Sequence, residues 1–318
     1  MYILIVILLQ VKSNTKITDF NINSRNLNEN IKIQPLSSFN SKNIHVAVLR
    51  LDELHPIISG NKWFKLKYYI QSALTSRMET IASFGGPYSN HLVALAYAAK
   101  ENNLKSIGVV RANENEPLTP TLQDAIQYGM KLHFLGRTHF QLLKNEWTQK
   151  NLSDNIYFID EGGYGALGAK GAATILSNEL THKYSHIICA VGTGTMMAGL
   201  INASNFKQQI IGIPVLKNEQ SIDHEIFGLL TEQKKNYTLL HNFHLGGYAK
   251  TTQAQFEFMN QLWDTEKIPT DIVYTSKVFM AVKHLIESSY FSPTAKILVI
   301  HSGGLQGNRS LAKGELAF

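Results

Sequence analysis

A lysine follows a glycine–asparagine pair at residues 59–62, at the start of a stretch with the residue pattern of a helix. The amine of Lys62 could add to a carbonyl group to form a Schiff base, and could then accept and release protons. Most lysines are instead solvated surface groups, and the chain has 30 lysines and arginines. Lys62 is therefore a candidate nucleophile whose assignment depends on what the rest of the chain places near it.

A glycine-rich turn with two hydroxyls occupies residues 192–195, between an apolar run and an apolar helical stretch. The backbone N–H groups of Gly192 and Gly194 and the hydroxyls of Thr193 and Thr195 would face one point at the positive end of a helix dipole, which is how proteins bind phosphate. The turn lacks both the ending of a P-loop and the spacing of a dinucleotide-binding turn, which favours a monophosphate. The alternative is a tight strand–helix turn in which glycine only satisfies the backbone conformation.

A second glycine-rich turn ends in Ser89 and Asn90, just before another predicted helix. It puts a hydroxyl and an amide at the mouth of that helix, where both could contact a ligand. Serine and asparagine are also preferred helix N-caps, so ordinary capping is the competing interpretation. No Gly-x-Ser-x-Gly sequence surrounds Ser89, which argues against a hydrolase triad.

Four side chains in the C-terminal part of the chain lie at the boundaries of predicted elements. Tyr248 and Tyr274 are phenols that could transfer protons, although tyrosine is also a common amphipathic core residue. Thr275 has the position of a helix cap, and Ser302 precedes the last Gly-Gly pair of the chain.

Short apolar runs alternate with helical stretches from about residue 44 onward. The runs are His45–Leu51, Thr80–Phe84, Ser106–Val110, Lys131–Leu135, Ile156–Ile159, His186–Val191, Gln209–Pro214 and Lys296–His301. The helical stretches are His91–Lys100, Thr121–Tyr128, Ala166–Leu180, Met196–Asn205, Thr252–Asp264 and Lys277–Ser289. The alternation predicts an α/β fold with mostly parallel sheet, in which ligands bind beyond the carboxyl ends of the strands. Because single cores stop growing near ~250–300 residues, we expect two lobes with a cleft between them.

Composition and charge exclude several classes of function. Hydrophobic residues at 44% and charged residues at 17% are typical of a globular protein. The net charge of +6 is scattered, so we expect no nucleic-acid partner. Cys189 is the only cysteine, which excludes a disulfide framework and fits a reducing cytoplasm. The 12 histidines show no His-Glu-x-x-His spacing, so we predict no metal site.

The N-terminal segment is predicted to lie outside the two lobes. Its apolar stretch at residues 2–9 is too short for a membrane span, which needs about 20 residues, and it lacks the basic leader and cleavage site of a signal peptide. An upstream start codon or a buried edge strand explains it better, and we expect no membrane association. We expect residues 1–33 to form a poorly ordered lead-in.

Taken in order, these segments resemble the β family (fold type II) of pyridoxal 5′-phosphate (PLP) enzymes, in the branch of 1-aminocyclopropane-1-carboxylate (ACC) deaminases and D-cysteine desulfhydrases. The motifs that carry the resemblance are Arg50-Leu51-Asp52-Glu53-Leu54-His55-Pro56 with Ser59-Gly60-Asn61-Lys62, Gly85-Gly86-Pro87-Tyr88-Ser89-Asn90-His91, Val191-Gly192-Thr193-Gly194-Thr195-Met196-Met197-Ala198-Gly199, and His301-Ser302-Gly303-Gly304. The resemblance implies PLP in a cleft between two open, mostly parallel twisted sheets flanked by helices. It also implies a larger PLP-binding domain of residues 34–70 plus 176–318, a smaller α/β domain of residues 71–175, and a homodimer.

The same resemblance implies a role for each candidate residue. Lys62 would hold PLP covalently, and Asn90 would contact the ring hydroxyl as a neutral amide. Ser89, Tyr248 and Tyr274 would face a small amino-acid substrate and are candidates for proton transfer. The phosphate would lie in the turn formed by Gly192, Thr193, Gly194, Thr195 and Met196.

Thr275 and Ser302 separate the two activities of this branch. In the deaminases the position of Thr275, beside the pyridine nitrogen, resembles an acidic residue, and the position of Ser302 is apolar. A neutral hydroxyl cannot fix a protonated ring by charge, so the carbanion is less delocalised and readily expels a β-leaving group. We therefore predict α,β-elimination from D-cysteine or a similar small D-amino acid to give pyruvate and ammonia. The alternative is ACC deamination to 2-oxobutanoate and ammonia.

Two residues depart from the pattern of the relatives. Phe64 stands where they usually carry an arginine, and Met196 follows Thr195 where a Gly-Thr pair is more usual. These departures leave open a non-catalytic relative that binds PLP or an amino acid. A serine or threonine dehydratase acting on L-substrates is the other alternative.

Overall fold

Two β-sheets form the framework of the chain in the computed structural model, which describes residues 31–41, 43–149, 155–217, 221–232 and 236–318. The strands are β1 (Ile33–Pro35), β2 (His45–Arg50), β3 (Thr80–Gly85), β4 (Lys105–Arg111), β5 (Met130–Leu135), β6 (Ile156–Ile159), β7 (His186–Val191), β8 (Gln209–Pro214), β9 (Tyr237–Leu239) and β10 (Lys296–His301). The helices are α1 (Asn61–Thr75), α2 (Asn90–Glu101), α3 (Pro120–Gln127), α4 (Arg137–Gln149), α5 (Ala166–Ala173), α6 (Thr195–Ala203), α7 (Ile222–Phe227), α8 (Gln253–Glu266) and α9 (Thr275–Glu287).

The larger sheet has six strands in the order β1-β2-β10-β7-β8-β9, and the smaller has four in the order β5-β4-β3-β6. All neighbouring strands are parallel except β1, which pairs antiparallel with β2. The central strands are apolar on both faces, as expected of parallel strands that helices cover on both sides. The predicted α/β fold with mostly parallel sheets is confirmed.

The strand order brings the glycine-rich turns together. Because β10 lies between β2 and β7, the segments that follow these three strands leave the larger sheet side by side. In the smaller sheet β3 lies between β4 and β6, so the turn after β3 is flanked by the ends of both neighbours. The turns at residues 192–195 and 302–304 therefore follow adjacent strands of the larger sheet, and the lysine segment follows β2, the other neighbour of β10.

Helix α1 connects the two sheets, since it follows β2 of the larger sheet and precedes β3 of the smaller one. It packs so closely against α5 that a Cβ atom on Gly171 would lie 1.9 Å from the carbonyl oxygen of Phe64. The side chain of Phe64 is fully buried in the apolar core. Phe64, the residue of the lysine segment that departs from the pattern of the relatives, thus packs in the core.

The eight predicted strands agree with the observed ones to within one residue at each end. Two short edge strands, β1 and β9, and helices α4 and α7 were not predicted. The predicted helix at Ala166–Leu180 is too long, because α5 ends at Ala173 and two 3₁₀ turns follow. In the second turn the side chain of Asn178 accepts a hydrogen bond from the backbone N–H of Leu180, which competes with helix continuation.

The strands of the smaller sheet all lie between residues 80 and 159. The boundaries at 70/71 and 175/176 remain predictions, and the apolar stretch at residues 2–9 lies outside the described residues. None of the helices in the described ranges has the length and apolar character that a membrane crossing requires. The same ranges contain no group of three or more His, Cys, Asp or Glu side chains placed to hold a metal ion.

Candidate active site

Lys62 is the second residue of α1, and the preceding turn fixes its position. Gly60 has φ +69°, and a Cβ atom there would lie 1.9 Å from the carbonyl oxygen of Ser302. That oxygen accepts a hydrogen bond of 3.1 Å from the backbone N–H of Asn61. Only glycine fits both the backbone conformation and the close approach, so Gly60 allows the lysine segment to rest directly on the turn that follows β10.

Burial lowers the pKa of Lys62 to about 8, against the opposing effect of the Asp271 carboxylate. A lysine with an ordinary pKa near 10.5 is almost entirely protonated at neutral pH and is a poor nucleophile. Here roughly a tenth of the amine is neutral at pH 7. The environment therefore prepares Lys62 for addition to a carbonyl group.

The turn after β7 forms a cradle of hydroxyls at the N-terminus of α6. Thr193 and Thr195 have their Oγ1 atoms 3.0 Å apart, and Gly194, the N-cap of the helix, has a left-handed conformation with φ +76°. Tyr274 packs against Gly192, where a Cβ atom would lie 3.3 Å from its ring. Hydroxyls and free backbone N–H groups at the positive end of a helix suit a phosphate.

Lys65 adds a cation to this cradle. It lies one helical turn after Lys62, is 3% exposed, and donates a hydrogen bond of 3.2 Å from Nζ to Thr193 Oγ1. Burial lowers its pKa well below the ordinary value, and the charge of Lys62 lowers it further. A bound dianion would offset both effects, so the geometry favours an anion beside Lys65.

The Met196 side chain contacts the lysine segment. Its Sδ atom lies 3.3 Å from the Nδ2 atom of Asn61, which links the phosphate turn to the lysine segment. The side chain is 4% exposed, and Met196 belongs to the first turn of α6. The Met196 side chain thus packs between the phosphate turn and the lysine segment.

Ser89 and Asn90 have different surroundings, although they are neighbours. The Ser89 hydroxyl accepts a hydrogen bond of 3.3 Å from the backbone N–H of Leu92, so the capping interpretation is confirmed. Its own proton has no acceptor among the described residues and can therefore be donated to a ligand. Asn90 donates from Nδ2 to the carbonyl of Gly304 at 3.4 Å, while its buried Oδ1 atom has no partner within the described part of the chain.

His91 is a further buried group in this region that the sequence did not single out. Its Nε2 atom lies 2.8 Å from Ser83 Oγ, and the Ser83 hydroxyl donates to the carbonyl of Ile159 at 2.7 Å. Nε2 must therefore carry the proton, which leaves Nδ1 as a buried acceptor without a partner among the described residues. Burial, with the charges of Lys62 and Lys65, lowers the pKa of His91 well below its usual value.

Thr275 is engaged with Asp271. Its hydroxyl donates to Asp271 Oδ1 at 2.6 Å and accepts from the Asp271 backbone N–H at 2.7 Å. The Asp271 carboxylate also accepts from the backbone N–H groups of Val273, Tyr274 and Thr275. Thr275 is therefore the first residue of α9 and not its cap as the sequence predicted, and Asp271 accepts a hydrogen bond from the N–H group of this first helical residue. Burial raises the pKa of Asp271, and these hydrogen bonds act in the opposite direction.

Tyr274 and Tyr248 meet edge to face, with ring centroids 6.3 Å apart and an interplanar angle of 78°. Burial raises the pKa of Tyr274 well above its ordinary value, and Tyr248 and Asp271 raise it further. The pKa of Tyr248 is also raised, chiefly by desolvation, although its side chain is 48% exposed. Both phenols therefore remain protonated at neutral pH and can donate protons but not accept them.

The structure brings most of the predicted residues to one region where the two sheets meet. Ser302 is 8% exposed and contributes its carbonyl to the lysine segment, and a Cβ atom on Gly304 would lie 3.4 Å from both Asn90 Nδ2 and Asp271 Oδ1.

Two residues of the site, Lys65 and Asp271, were not predicted from the sequence. The spacing of Lys65, three residues after Lys62 on the same helix face, was a signal for it. Asp271 lies six residues before the predicted helix at Lys277–Ser289, and no local sequence signal marked it.

The donor set suits PLP at each part of that cofactor. Lys62 provides the amine, Lys65 and the two threonines provide a phosphate cradle, and the unpaired Oδ1 atom of Asn90 can accept a hydrogen bond from a ring substituent. Residues 27–303 match the family described as pyridoxal-phosphate dependent enzymes. The chain belongs to this family, and it is a PLP-dependent enzyme.

Two proteins similar to this chain carry names from one branch of the family. A Thermotoga maritima protein, named provisionally as an ACC deaminase, is 28% identical over 83% of this chain and 89% of its own length. The mitochondrial bifunctional D-cysteine desulfhydrase/ACC deaminase of Arabidopsis thaliana is 26% identical over 79% of this chain and 70% of its own length. A solved structure of an ACC deaminase homologue shares the fold, with a TM-score of 0.74, 22% identity and coverage of 96% of this chain and 95% of that one.

Proposed function

We propose that this enzyme catalyses α,β-elimination from D-cysteine or a similar small D-amino acid. D-cysteine and one molecule of water would give pyruvate, ammonia and hydrogen sulfide. When bound, PLP supplies an electron sink that stabilises negative charge at the α-carbon of the substrate. The protein's own groups must then bind the carboxylate, move the α-proton and assist the leaving group.

The pKa shifts assign directions of proton transfer to these groups. Lys62, whose pKa is lowered to about 8, is the candidate base for the α-proton once its amine is released by substrate. Tyr274 keeps its proton at neutral pH and is a candidate acid for the leaving group. Ser89 has a free hydroxyl proton that can be donated to the substrate carboxylate.

The choice of α,β-elimination over ACC deamination rests on one observation, the neutral hydroxyl of Thr275. Its proton is committed to Asp271, and the carboxylate of Asp271 is itself saturated by three backbone N–H groups and that hydroxyl. Thr275 therefore offers no negative charge to a ring nitrogen. A less polarised ring favours expulsion of a good β-leaving group, such as a thiol, over opening of a cyclopropane ring.

ACC deamination is the second candidate, and one observation favours it. Asp271 is fully buried and accepts a hydrogen bond from Thr275, so a carboxyl group lies one hydrogen bond away from the neutral hydroxyl. The names of the similar proteins include ACC deaminases as well as a bifunctional enzyme. In this case the Asp271–Thr275 pair together would take the place of one acidic side chain.

The test compares kcat/KM for D-cysteine and ACC in the wild type and in a Thr275→Glu, Ser302→Leu double variant. We expect the wild type to prefer D-cysteine and the double variant to shift towards ACC. L-cysteine and L-serine serve as controls for the dehydratase alternative. A wild type that releases 2-oxobutanoate from ACC and no pyruvate from D-cysteine would overturn the proposal.

The assembly and location of the enzyme are proposed from the resemblance alone. We propose a homodimer in the cytoplasm, acting on a free small amino acid. Light scattering on the purified protein measures the assembly, and a mass near that of a single 35.6 kDa chain would contradict it.

A further inference from the structure

The loop at residues 244–250 has an unusual backbone conformation. Leu245, Gly246, Gly247 and Ala249 all have positive φ angles, of 49°, 90°, 121° and 53° respectively. Leucine and alanine rarely adopt the left-handed region, and each such residue raises the energy of the loop. A loop of this kind persists only where contacts from the surrounding structure hold it in place.

A buried lysine provides such contacts. Lys277, in the first turn of α9, is fully buried, and its Nζ atom donates to the carbonyl of His244 at 2.9 Å and to that of Gly247 at 2.6 Å. The two carbonyls lie at opposite ends of the tight part of the loop. Lys277 thus stabilises the turn that immediately precedes Tyr248.

The same helix holds the other tyrosine of the pair. Tyr274 immediately precedes α9, so Lys277 and Tyr274 are separated by less than one helical turn. Tyr248 follows Gly247 directly and meets the Tyr274 ring edge to face. The start of α9 therefore fixes the positions of both the Tyr274 ring and the loop that contains Tyr248.

Lys277 differs from the other buried lysine of the region. Lys65 contacts a hydroxyl of the phosphate turn, whereas Lys277 donates hydrogen bonds to two carbonyls of the 244–250 loop. Burial lowers the pKa of Lys277 to about 8, while the nearby Asp271 carboxylate acts in the opposite direction. An ammonium is costly to bury, so its place here is explained by the two carbonyls that it binds.

We propose that Lys277 is a positioning residue that fixes the 244–250 loop and so holds Tyr248 against Tyr274 at the mouth of the active site. The consequence for catalysis rests on the proposed function, in which the two tyrosines face the substrate. The consequence for the loop does not depend on which substrate is used.

The first test measures hydrogen–deuterium exchange of the 244–250 segment in holoenzyme without substrate, for wild type, Lys277→Met and Lys277→Gln. The backbone N–H groups of Gly247 and Lys250 are hydrogen-bonded within the loop and report on its order. We expect exchange about tenfold faster or more in both variants, because a charged hydrogen bond is lost. Lys283→Met is the matched control, since Lys283 is an exposed lysine of the same helix. Unchanged exchange in both position-277 variants would overturn the proposal.

The second test is a double-mutant cycle between Lys277→Met and Tyr248→Phe, with kcat and KM measured separately. If Lys277 acts through Tyr248, the Lys277→Met change lowers kcat/KM by about tenfold or more in the wild type and has little effect in the Tyr248→Phe background. Losses that multiply independently would show that Lys277 stabilises the fold without positioning Tyr248. The cycle uses whichever amino acid the enzyme turns over, so failure of the D-cysteine assignment leaves it interpretable.

Discussion

The chemistry of the site depends on two lysines that lie one turn apart on the same helix. Lys62 is half-buried with a pKa lowered to about 8, and Lys65 is buried against Thr193. One amine is prepared to act as a nucleophile, and the other is placed to neutralise an anion. Sequence identified the first from its Gly-Asn context, but the second appeared only when the structure placed it beside the phosphate turn.

The lowered pKa of Lys62 predicts how cofactor capture depends on pH. Because only the neutral amine adds to the aldehyde, the rate of capture by apoenzyme should rise with pH, reach half its maximum near pH 8, and level off above it. Stopped-flow absorbance after addition of PLP measures this rate, and Lys62→Ala shows which absorbance belongs to this lysine. A rate that still rises steeply at pH 10 would mean that Lys62 has an ordinary pKa.

Lys65→Met should weaken cofactor binding without removing the nucleophile. A hydrogen bond from a charged donor contributes roughly 1.5–3 kcal/mol, so we expect the Kd for PLP to rise by about 10- to 100-fold. Equilibrium titration of apoenzyme measures the affinity. The control is Lys67→Met, a lysine of the same helix whose Nζ lies over the ring of Tyr68. Equal affinities in the two variants would contradict a phosphate-binding role for Lys65.

At the scale of elements, the active site depends on turns that follow adjacent parallel strands. These strands could be predicted because each is a short apolar run, and glycine follows β7 and β10 within two residues. Helix α4 was missed because its sequence is largely polar, and α5 was overextended because apolar residues continue beyond its end. The hydrogen bond from the Thr275 N–H group to Asp271 depends on a turn conformation that local pattern does not specify.

The contact between the lysine segment and the last Gly-Gly turn gives a prediction at this scale. Gly60→Ala would place Cβ 1.9 Å from the Ser302 carbonyl at a positive φ, so we expect a loss of about 2–4 kcal/mol in stability. Gly86→Ala is the matched control, because a Cβ there meets nothing within 4 Å. Thermal unfolding of the two variants measures the difference. Equal midpoints would show that the close contact imposes no constraint.

At the scale of the whole molecule, both sheets contribute residues to the active site. The larger sheet supplies the phosphate turn and, from the segments after β2 and β10, the lysine and its support, while the turn after β3 of the smaller sheet supplies Ser89 and Asn90. Chain length and strand alternation predicted two lobes with a cleft. They could not predict which side chains from the two sheets would come within contact, because Asn90 and Gly304 meet only through tertiary packing.

The most direct test of the central claim is pyruvate release from D-cysteine by the purified, PLP-loaded enzyme. We predict equal amounts of pyruvate, ammonia and hydrogen sulfide, and a fall in rate on the order of 10²–10⁴-fold in Lys62→Ala. Lys67→Ala should retain the wild-type rate. No pyruvate from D-cysteine with wild-type enzyme that binds PLP, or a Lys62→Ala variant as active as the wild type, would contradict the account.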